Sequence, residues 1–305
     1  MLIFIFRRLL WAIPVLWLVA TLTFVMMHLV PGGPFDREKK LPLEIKANIE
    51  AKYHLDQPLP MQYFLYLKGL VQGDLGPSYK YVGRTVNDVI ADTLPVSIQL
   101  GFAALTMGCL AGLFLGVVSG VFSQSFWDKM ILVITTAGIS IPNFVIGAIL
   151  ILIFSHYFKI LPPALWEDAR SIVLPAAALG LAPTAYIARL VRSSILEEIR
   201  HDYVRTARAK GFSEIRILLR HVLKNAITPV ITILGPLTAA LVTGSFVIEF
   251  IFSVPGMGKF FITAVTNRDY PLIMGVTLVY AFLIVLANLA VDILYTLADP
   301  RVKLE

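Results

Sequence analysis

Charged residues are scarce in this sequence. Only 15% of its 305 residues are charged and 57% are hydrophobic, whereas about 25% charged residues are usual in a soluble domain. Cysteine is scarcer still: Cys109 is the single one and lies within an apolar run, which excludes a disulfide framework and a cysteine-based metal site. These shortages exclude a soluble globular domain and indicate an integral membrane protein.

Enzyme motifs are missing as well. The sequence has no His-Glu-x-x-His and no Gly-x-Ser-x-Gly, and its histidines are scattered: His28, His54, His156, His201 and His221. The stretch Pro255-Gly-Met-Gly-Lys259 superficially resembles a phosphate-binding loop. It carries Ser253 where such a loop needs glycine, and Phe260 where it needs serine or threonine. A membrane-embedded enzyme is therefore disfavoured.

Six apolar runs dominate what is present. Each approaches the roughly 20 residues that a helix needs to cross a bilayer, and they cover residues 9–30, 98–122, 130–154, 172–190, 227–252 and 272–297. The first run follows Arg7 and Arg8 as a secretory signal would, but it exceeds the roughly 7–15 apolar residues of a signal and lacks a cleavage site. The pattern predicts an all-α membrane protein of six transmembrane helices, the first one uncleaved.

The distribution of positive charge predicts the orientation. Six spans place both termini on one side, and Arg7, Arg8, Arg301 and Lys303 make that side cytoplasmic by the positive-inside rule. Residues 189–224, between the fourth and fifth spans, then also face the cytoplasm. They carry nine lysines and arginines against four acids, a net charge of +5.

The first loop, residues 31–96, is predicted to be extracytoplasmic and helical. It holds eight basic and eight acidic residues, and loops of this length translocate largely regardless of charge. Apolar spacing predicts a surface helix over 41–55, a second over 61–71 that ends at the glycines and proline of 73–77, and an amphipathic helix over 84–94. The last should lie on the outer membrane surface and end before Pro95.

Small residues mark one face of the second span. Gly108, Gly112, Gly116 and Gly120 recur every four residues, so they fall on one stripe that allows close helix approach in lipid. The stripe predicts a helix interface inside a bundle or dimer; incidental small residues are the alternative.

Prolines in or near the runs predict kinks at Pro142, Pro175, Pro183, Pro229 and Pro236.

Residues 195–225 carry a second helical pattern. Ile195, Ile199, Tyr203 and Ala207 recur every four residues, which predicts a helix that leaves the membrane and continues to Lys210. Gly211 should end that helix, and Ser213 should cap a following one that runs through Lys224. Phe212 lies at the turn. Such a helix pair could enter a groove on a partner protein; the alternative is contact with anionic lipid.

The order of residues here resembles a known family. The motifs are Thr206-Ala-Arg-Ala-Lys-Gly211, Arg220-His221-x-Leu-Lys-Asn225 with Pro229, His54-Leu-Asp-x-Pro58 with Gln62-Tyr63, Gly73-Asp-Leu-Gly76, Glu249-x-x-Phe252-Ser-x-Pro255-Gly-Met-Gly258 and Arg268-Asp-Tyr-Pro271. They are similar to those of the permease subunits of ATP-binding-cassette importers, in the form found in oligopeptide and dipeptide permeases. The long first loop resembles that of the B-type subunit.

The sequence departs from the general signature of these permeases. That signature is Glu-Ala-Ala, three residues and Gly, and the aligned positions here are Arg205, Thr206 and Ala207. The glutamate and the first alanine are absent, and the proline that usually follows the glycine is displaced to Pro229. The departure matches the peptide-permease variant.

The resemblance implies a type I importer permease fold and a set of partners. The chain would form half of a pore with a homologous C-type permease in the bacterial inner membrane and take peptides from an extracytoplasmic peptide-binding protein. Two separate ATPase subunits would use the ATP, so this chain should bind no cofactor or metal, and no nucleic acid is expected. The implied layout is 1–30, 31–96, a core of 97–300 that includes the coupling segment 195–225, and a cytoplasmic tail of 301–305.

The resemblance also assigns residues. ATPase coupling would fall on Arg205, Thr206, Ala207, Lys210, Gly211, Phe212 and Ser213. The outer mouth or translocation path would involve Glu249, Gly256, Gly258, Asn288 and Asp292. For Glu249 and Asp292 a structural contact is the alternative. Asn288 precedes Asp292 by one helical turn, so the two share a face.

A self-sufficient secondary transporter is the remaining rival. It would be expected to show internal repeats and several ionisable groups within its spans. No repeat is detectable, and Asp292 is the only acid well inside an apolar run. The sequence therefore favours the importer.

Overall fold

The computed structural model describes residues 2–31, 55–242 and 245–298. The expected helix over 41–55, His54 and the tail with Arg301 and Lys303 lie outside them. The described residues form α1 Leu2–Leu29, α2 Leu59–Val71, α3 Val86–Val121, α4 Phe126–Ser140, α5 Asn143–Leu150, α6 Val173–Glu198, α7 Asp202–Ala209, α8 Glu214–Ile217, α9 Leu223–Ala226, α10 Thr228–Val242, α11 Phe246–Ile251, α12 Met257–Asn267 and α13 Tyr270–Ala298. Wider π-helical turns follow α5 at Ile151–Tyr157 and α8 at Leu218–Val222.

Among the residues that the structure describes, four helices are long and apolar enough to cross a membrane alone: Ile5–Leu29, Val86–Val121, Val173–Glu198 and Tyr270–Ile293. Two bent pairs qualify together, Phe126–Ser140 with Asn143–Tyr157 and Glu214–Ala226 with Thr228–Val242. The prediction of an all-α membrane protein is confirmed, and six spans result when each bent pair counts as one.

The third predicted span is broken rather than straight. Its two halves meet at 112°, where Ile141 is extended with φ −88° and ψ 129°. Pro142 follows, and a proline disfavours helical backbone at the residue before it. Hydropathy alone could not reveal this bend. The fifth predicted span, 227–252, is likewise divided: α10 ends at Val242 and α11 begins after an extended Ser245.

The amphipathic helix predicted over 84–94 does not stop at Pro95. It is the first part of the 36-residue α3, which contains that proline. Val86 and Val89 are fully buried against Met257, Leu272 and neighbouring side chains, so protein packing replaces the expected lipid contact.

The chain divides into two compact units. Unit 1 comprises Met1–Val96 and Pro255–Val285, and unit 2 comprises Ser97–Val254 and Leu286–Glu305. In unit 1, the start of α3 packs with α12 and α13. Asp269, which is fully buried, holds the turn at residues 76–85: its carboxylate accepts hydrogen bonds from the Ser78 hydroxyl and from the amides of Tyr79 at 3.1 Å and Lys80 at 3.3 Å. A buried carboxylate requires such partners.

In unit 2, the glycine stripe of α3 packs against α6. A Cβ added at Gly112 would lie 2.8 Å from Cβ of Ile187, and one at Gly116 would lie 2.7 Å from the carbonyl oxygen of Ala188. Side chains at these positions would push the two helices apart. The predicted helix interface is confirmed, and it is formed within this chain.

Candidate functional site

The coupling segment, residues 195–225, consists of short helices rather than one continuous pair. α6 ends at Glu198, and α7 begins after His201, whose backbone is extended with φ −69° and ψ 149°. The helix predicted to run on to Lys210 is therefore interrupted at residues 199–201. The second predicted helix contains a π-helical turn between α8 and α9.

One face of α7 is buried and the other is exposed. Val204 is fully buried and Ala207 is 4% exposed. They pack with Ile187, Val191 and Ile195 of α6, with Ile217 and Val222 on the following helices, and with Ala226 and Val230. Fully burying a side chain of valine size contributes about 1.5–3 kcal/mol. This core fixes α7 to the end of α6.

The turn after α7 is a Schellman motif centred on Gly211. Its φ is +79°, a left-handed conformation that glycine adopts without steric cost. The Gly211 amide donates to the Arg208 carbonyl at 2.9 Å, and the Phe212 amide donates to the Ala207 carbonyl at 3.3 Å. Both bonds satisfy carbonyls that the end of the helix leaves open. The predicted role of Gly211 in ending the helix is confirmed.

The same turn is tied to α8 by side chains. Arg208 makes a bidentate ion pair with Glu214, with distances of 2.8 and 3.1 Å between nitrogen and oxygen atoms. The Phe212 ring stacks on His221, with centroids 6.2 Å apart, and the Arg216 guanidinium lies 4.7 Å from its centroid. Phe212 therefore does not project freely but is held against its own second helix. Ser213 occupies the cap position of α8, although its side chain makes no capping hydrogen bond.

A polar network joins α6, α7 and α9. The Tyr203 hydroxyl donates to the Glu198 carboxylate, and the Asn225 amide lies 3.3 Å from that carboxylate and 3.2 Å from the hydroxyl oxygen. Partial burial and the hydrogen bond to Glu198 raise the pKa of Tyr203. Tyr203 therefore stays protonated near neutral pH and remains a donor.

An ion pair that sequence reasoning missed anchors α6 close to the coupling segment. Asp128 of α4, whose side chain is 2% exposed, binds Arg192 of α6 through two hydrogen bonds of 2.7 and 2.8 Å. The Ser119 hydroxyl of α3 and the Gln124 amide also donate to this carboxylate, at 2.5 and 2.7 Å. The sequence signal that could have revealed this pair is an arginine near the end of one apolar run and an aspartate at the start of another. The pairing also offsets one of the nine positive charges counted between 189 and 224.

The outward face of α7 carries the remaining predicted coupling residues. Arg205, Thr206 and Lys210 are exposed, as is Gly211, whereas Ala207 points into the core. The coupling residues thus form two groups, a buried one that fixes the helix and an exposed one that is available for contact.

The predicted path residues lie on three helices. Glu249 of α11 is fully buried, which favours a structural contact over substrate binding. Gly256 precedes α12 and Gly258 lies in its first turn, directly after an irregular turn with a left-handed Ser253. Asn288 is exposed and Asp292 is half-buried, one helical turn apart on α13. Their part in translocation stays a prediction.

Metal binding finds no support in the part of the chain that the structure describes. No three histidine, cysteine, aspartate or glutamate side chains come together there in a group that could hold an ion.

Known proteins resemble this chain over its full length. It is 46% identical to the dipeptide transport system permease protein DppB of Bacillus subtilis, over 94% of this chain and 93% of that protein. It is 45% identical to the oligopeptide transport system permease protein OppB of Haemophilus influenzae, over 99% and 100%. The OppB protein of Escherichia coli K12 is 44% identical over the same shares.

Solved structures support the fold. An amino acid ABC transporter chain matches with a TM-score of 0.53 at 18% identity, over 68% of this chain and 92% of that one. The inward-facing MetNI methionine ABC transporter matches with a TM-score of 0.52 at 20% identity, over 69% and 96%. The fold is thus that of type I importer permeases.

Residues 112–304 match the family described as the inner membrane component of binding-protein-dependent transport systems, and residues 1–101 match the N-terminal family of the same components. The chain belongs to this family of binding-protein-dependent transport system inner membrane components.

Proposed function

We propose that this chain is a permease subunit of an ATP-binding-cassette importer that carries oligopeptides or dipeptides across the bacterial inner membrane. The full-length similarity to dipeptide and oligopeptide permeases supports this substrate class. The chain forms half of the translocation pore and performs no hydrolysis itself.

The same similarity supports a set of partners. A homologous C-type permease completes the pore, an extracytoplasmic peptide-binding protein delivers the substrate, and two ATPase subunits bind and hydrolyse ATP. Both termini and the coupling segment lie on the cytoplasmic side, where the ATPases assemble.

The observation that carries the mechanism is the rigid attachment of α7 to α6. Val204 and Ala207 share a buried core with Ile187, Val191 and Ile195. When an ATPase displaces the exposed face of α7, α6 has to move with it because interiors packed this closely transmit displacement. ATP-driven closure of the ATPases would thus reorient the spans. Arg205, Thr206 and Lys210 supply the exposed contact surface.

Reconstitution tests this function. Proteoliposomes that contain this chain, a C-type permease and two ATPases should take up a radiolabelled dipeptide or tetrapeptide only when ATP and the binding protein are both present. The matched control replaces the ATPases with forms that cannot hydrolyse ATP, and uptake should then stop. Uptake by this chain alone, driven by an ion gradient, would instead identify a secondary transporter.

A further inference from the structure

Two helix interruptions within the apolar segments of unit 2, at Ile141 and Ser245, lie beside one cavity. It has a volume of about 610 Å³, within the roughly 300–1,000 Å³ typical of ligand sites. Asn143, which follows the break at Ile141 and Pro142, lines it on one side, and Ser245, which precedes α11, lines it on another. α6 contributes Tyr186 between them.

The position of these breaks shows what kind of space the cavity is. Ile141 and Ser245 are both extended, so helices are interrupted at both positions inside runs of apolar sequence. The Ile141 amide still donates to the Ala137 carbonyl at 3.0 Å, and the Ser245 carbonyl accepts from the Glu249 amide at 2.9 Å. At membrane depth, non-helical backbone is tolerated only where protein buries it or where it lines a water-filled space. Two such stretches at one cavity indicate a surface that does not face lipid.

The chemistry of the wall indicates the occupant. None of the described residues that line the cavity is charged. Asn143, Tyr186 and Ser245 provide an amide and two hydroxyls among aliphatic and aromatic side chains, and Tyr186 is 51% exposed. Uncharged donors and acceptors suit the amide groups that every peptide backbone shares. They offer no fixed charge to select one type of peptide side chain.

We propose that this cavity is a transient binding site for the backbone of the transported peptide. The proposal rests on the proposed function and deepens it. The contact residues are Asn143, Tyr186 and Ser245, which differ from the residues that the sequence suggested for the path. Helix breaks that supply a substrate site within the membrane are a known arrangement in transporters.

A cavity-filling variant provides the first test. Ala240→Phe on α10 places a ring in the cavity, whereas Ile231→Phe places the same ring on an exposed position of the same helix that does not line it. In the reconstituted complex, Ala240→Phe should lower ATP-dependent uptake of radiolabelled trialanine about tenfold or more, since an occluded site loses the binding of its substrate. Ile231→Phe should transport as the unchanged complex does. Equal uptake by the two variants would overturn the proposal.

Cross-linking provides a second test that does not depend on the folding of a variant. A photoreactive trialanine analogue, added to the unchanged complex with ATP and the binding protein, should label peptides that contain Asn143, Tyr186 or Ser245. Unlabelled trialanine should compete. Labelling confined to other parts of this chain, or to the partner permease alone, would overturn the cavity assignment and leave the proposed function standing. Absence of uptake by the unchanged complex would overturn both.

Removing single polar groups tests the claim about the backbone. Tyr186→Phe should lower uptake of trialanine and triphenylalanine by the same factor, about two- to tenfold, the range for one lost hydrogen bond. If uptake of only one of the two peptides is lowered, the cavity distinguishes peptide side chains, and the proposal is contradicted.

Discussion

Gly211 and Gly116 show that glycine serves two physical purposes in this chain. Gly211 has a φ of +79°, and a Cβ there would meet no atom within 4 Å, so its requirement is conformational. At Gly116 an added Cβ would lie 2.7 Å from a backbone carbonyl oxygen of α6, so its requirement is steric. Substitutions can separate these two causes.

The conformational requirement predicts different outcomes for two substitutions at Gly211. Asparagine visits the left-handed region readily, whereas a β-branched residue is penalised by about 1–2 kcal/mol or more. We expect Gly211→Asn to retain most peptide uptake in the reconstituted complex. Gly211→Val should lower the equilibrium constant for the native turn about five- to thirtyfold, the factor that this energy represents, and should lower the uptake obtained per ATP hydrolysed. Equal performance of the two variants would show that the turn does not matter for coupling.

The buried Asp128–Arg192 pair predicts a large loss of stability when it is broken. Asp128→Ala leaves the Arg192 guanidinium without its bidentate partner. Breaking a fully buried pair costs about 3–5 kcal/mol, and because the Arg192 side chain is 23% exposed we expect a loss at the lower end of that range. The exposed pair of Arg84 and Asp92 is a matched control, with side chains 37% and 68% exposed. Asp92→Ala should cost less than about 1 kcal/mol. Thermal unfolding in detergent measures both, and similar losses would contradict the prediction.

Between elements, the link from α7 to α8 depends on charge complementarity. Arg208 and Glu214 are 44% and 69% exposed, so their pairing contributes less than about 1 kcal/mol to stability. Its geometric effect is larger because the bidentate contact fixes the angle at the turn.

A charge exchange tests this link. Arg208→Glu alone should place two acids together and lower peptide uptake per ATP hydrolysed. The double variant Arg208→Glu with Glu214→Arg should recover most of it, and the thermal stability of all forms should stay within about 1 kcal/mol. If the double variant performs no better than the single one, the residues act independently of each other.

Helix ends that depend on the residues next to them could be predicted from the sequence more accurately than features that depend on packing between helices. α2 was expected over 61–71 and extends over Leu59–Val71, and the end of α7 at Gly211 follows from one residue type. The bend at Pro142 was visible only as a kink of unknown size. Its 112° depends on the helices that pack around it.

The same distinction applies to the candidate site, where local features could be predicted from the sequence and tertiary contacts could not. A turn at Gly211 between two helices could be predicted, because glycine acts through the conformation of its own backbone. The stacking of Phe212 on His221 and the pairing of Asp128 with Arg192 could not. These contacts join residues brought together by tertiary packing, and apolar periodicity carries no information about which charges will meet.

For the whole molecule, the proposed topology predicts the side on which exposed positions react. Val82 is 88% exposed in the turn held by Asp269, and Lys210 is exposed beside Gly211. In a Cys109→Ala background, a membrane-impermeant maleimide should label Val82→Cys in spheroplasts. It should label Lys210→Cys only after the membrane is permeabilised. Labelling of Lys210→Cys in sealed spheroplasts would reverse the assigned orientation.

The spacing of packing partners along the chain has a consequence for biogenesis. The buried core around the coupling segment runs from Ile187 to Val230, whereas the hydrogen bond between Ser78 and Asp269 joins residues 191 positions apart. Contacts between near neighbours form sooner than contacts that close a long loop. On a nascent chain we therefore expect α7 to be seated before the contact between Ser78 and Asp269 forms. The surface of α7 that is proposed to contact the ATPase would thus form before Asp269 holds the turn at residues 76–85.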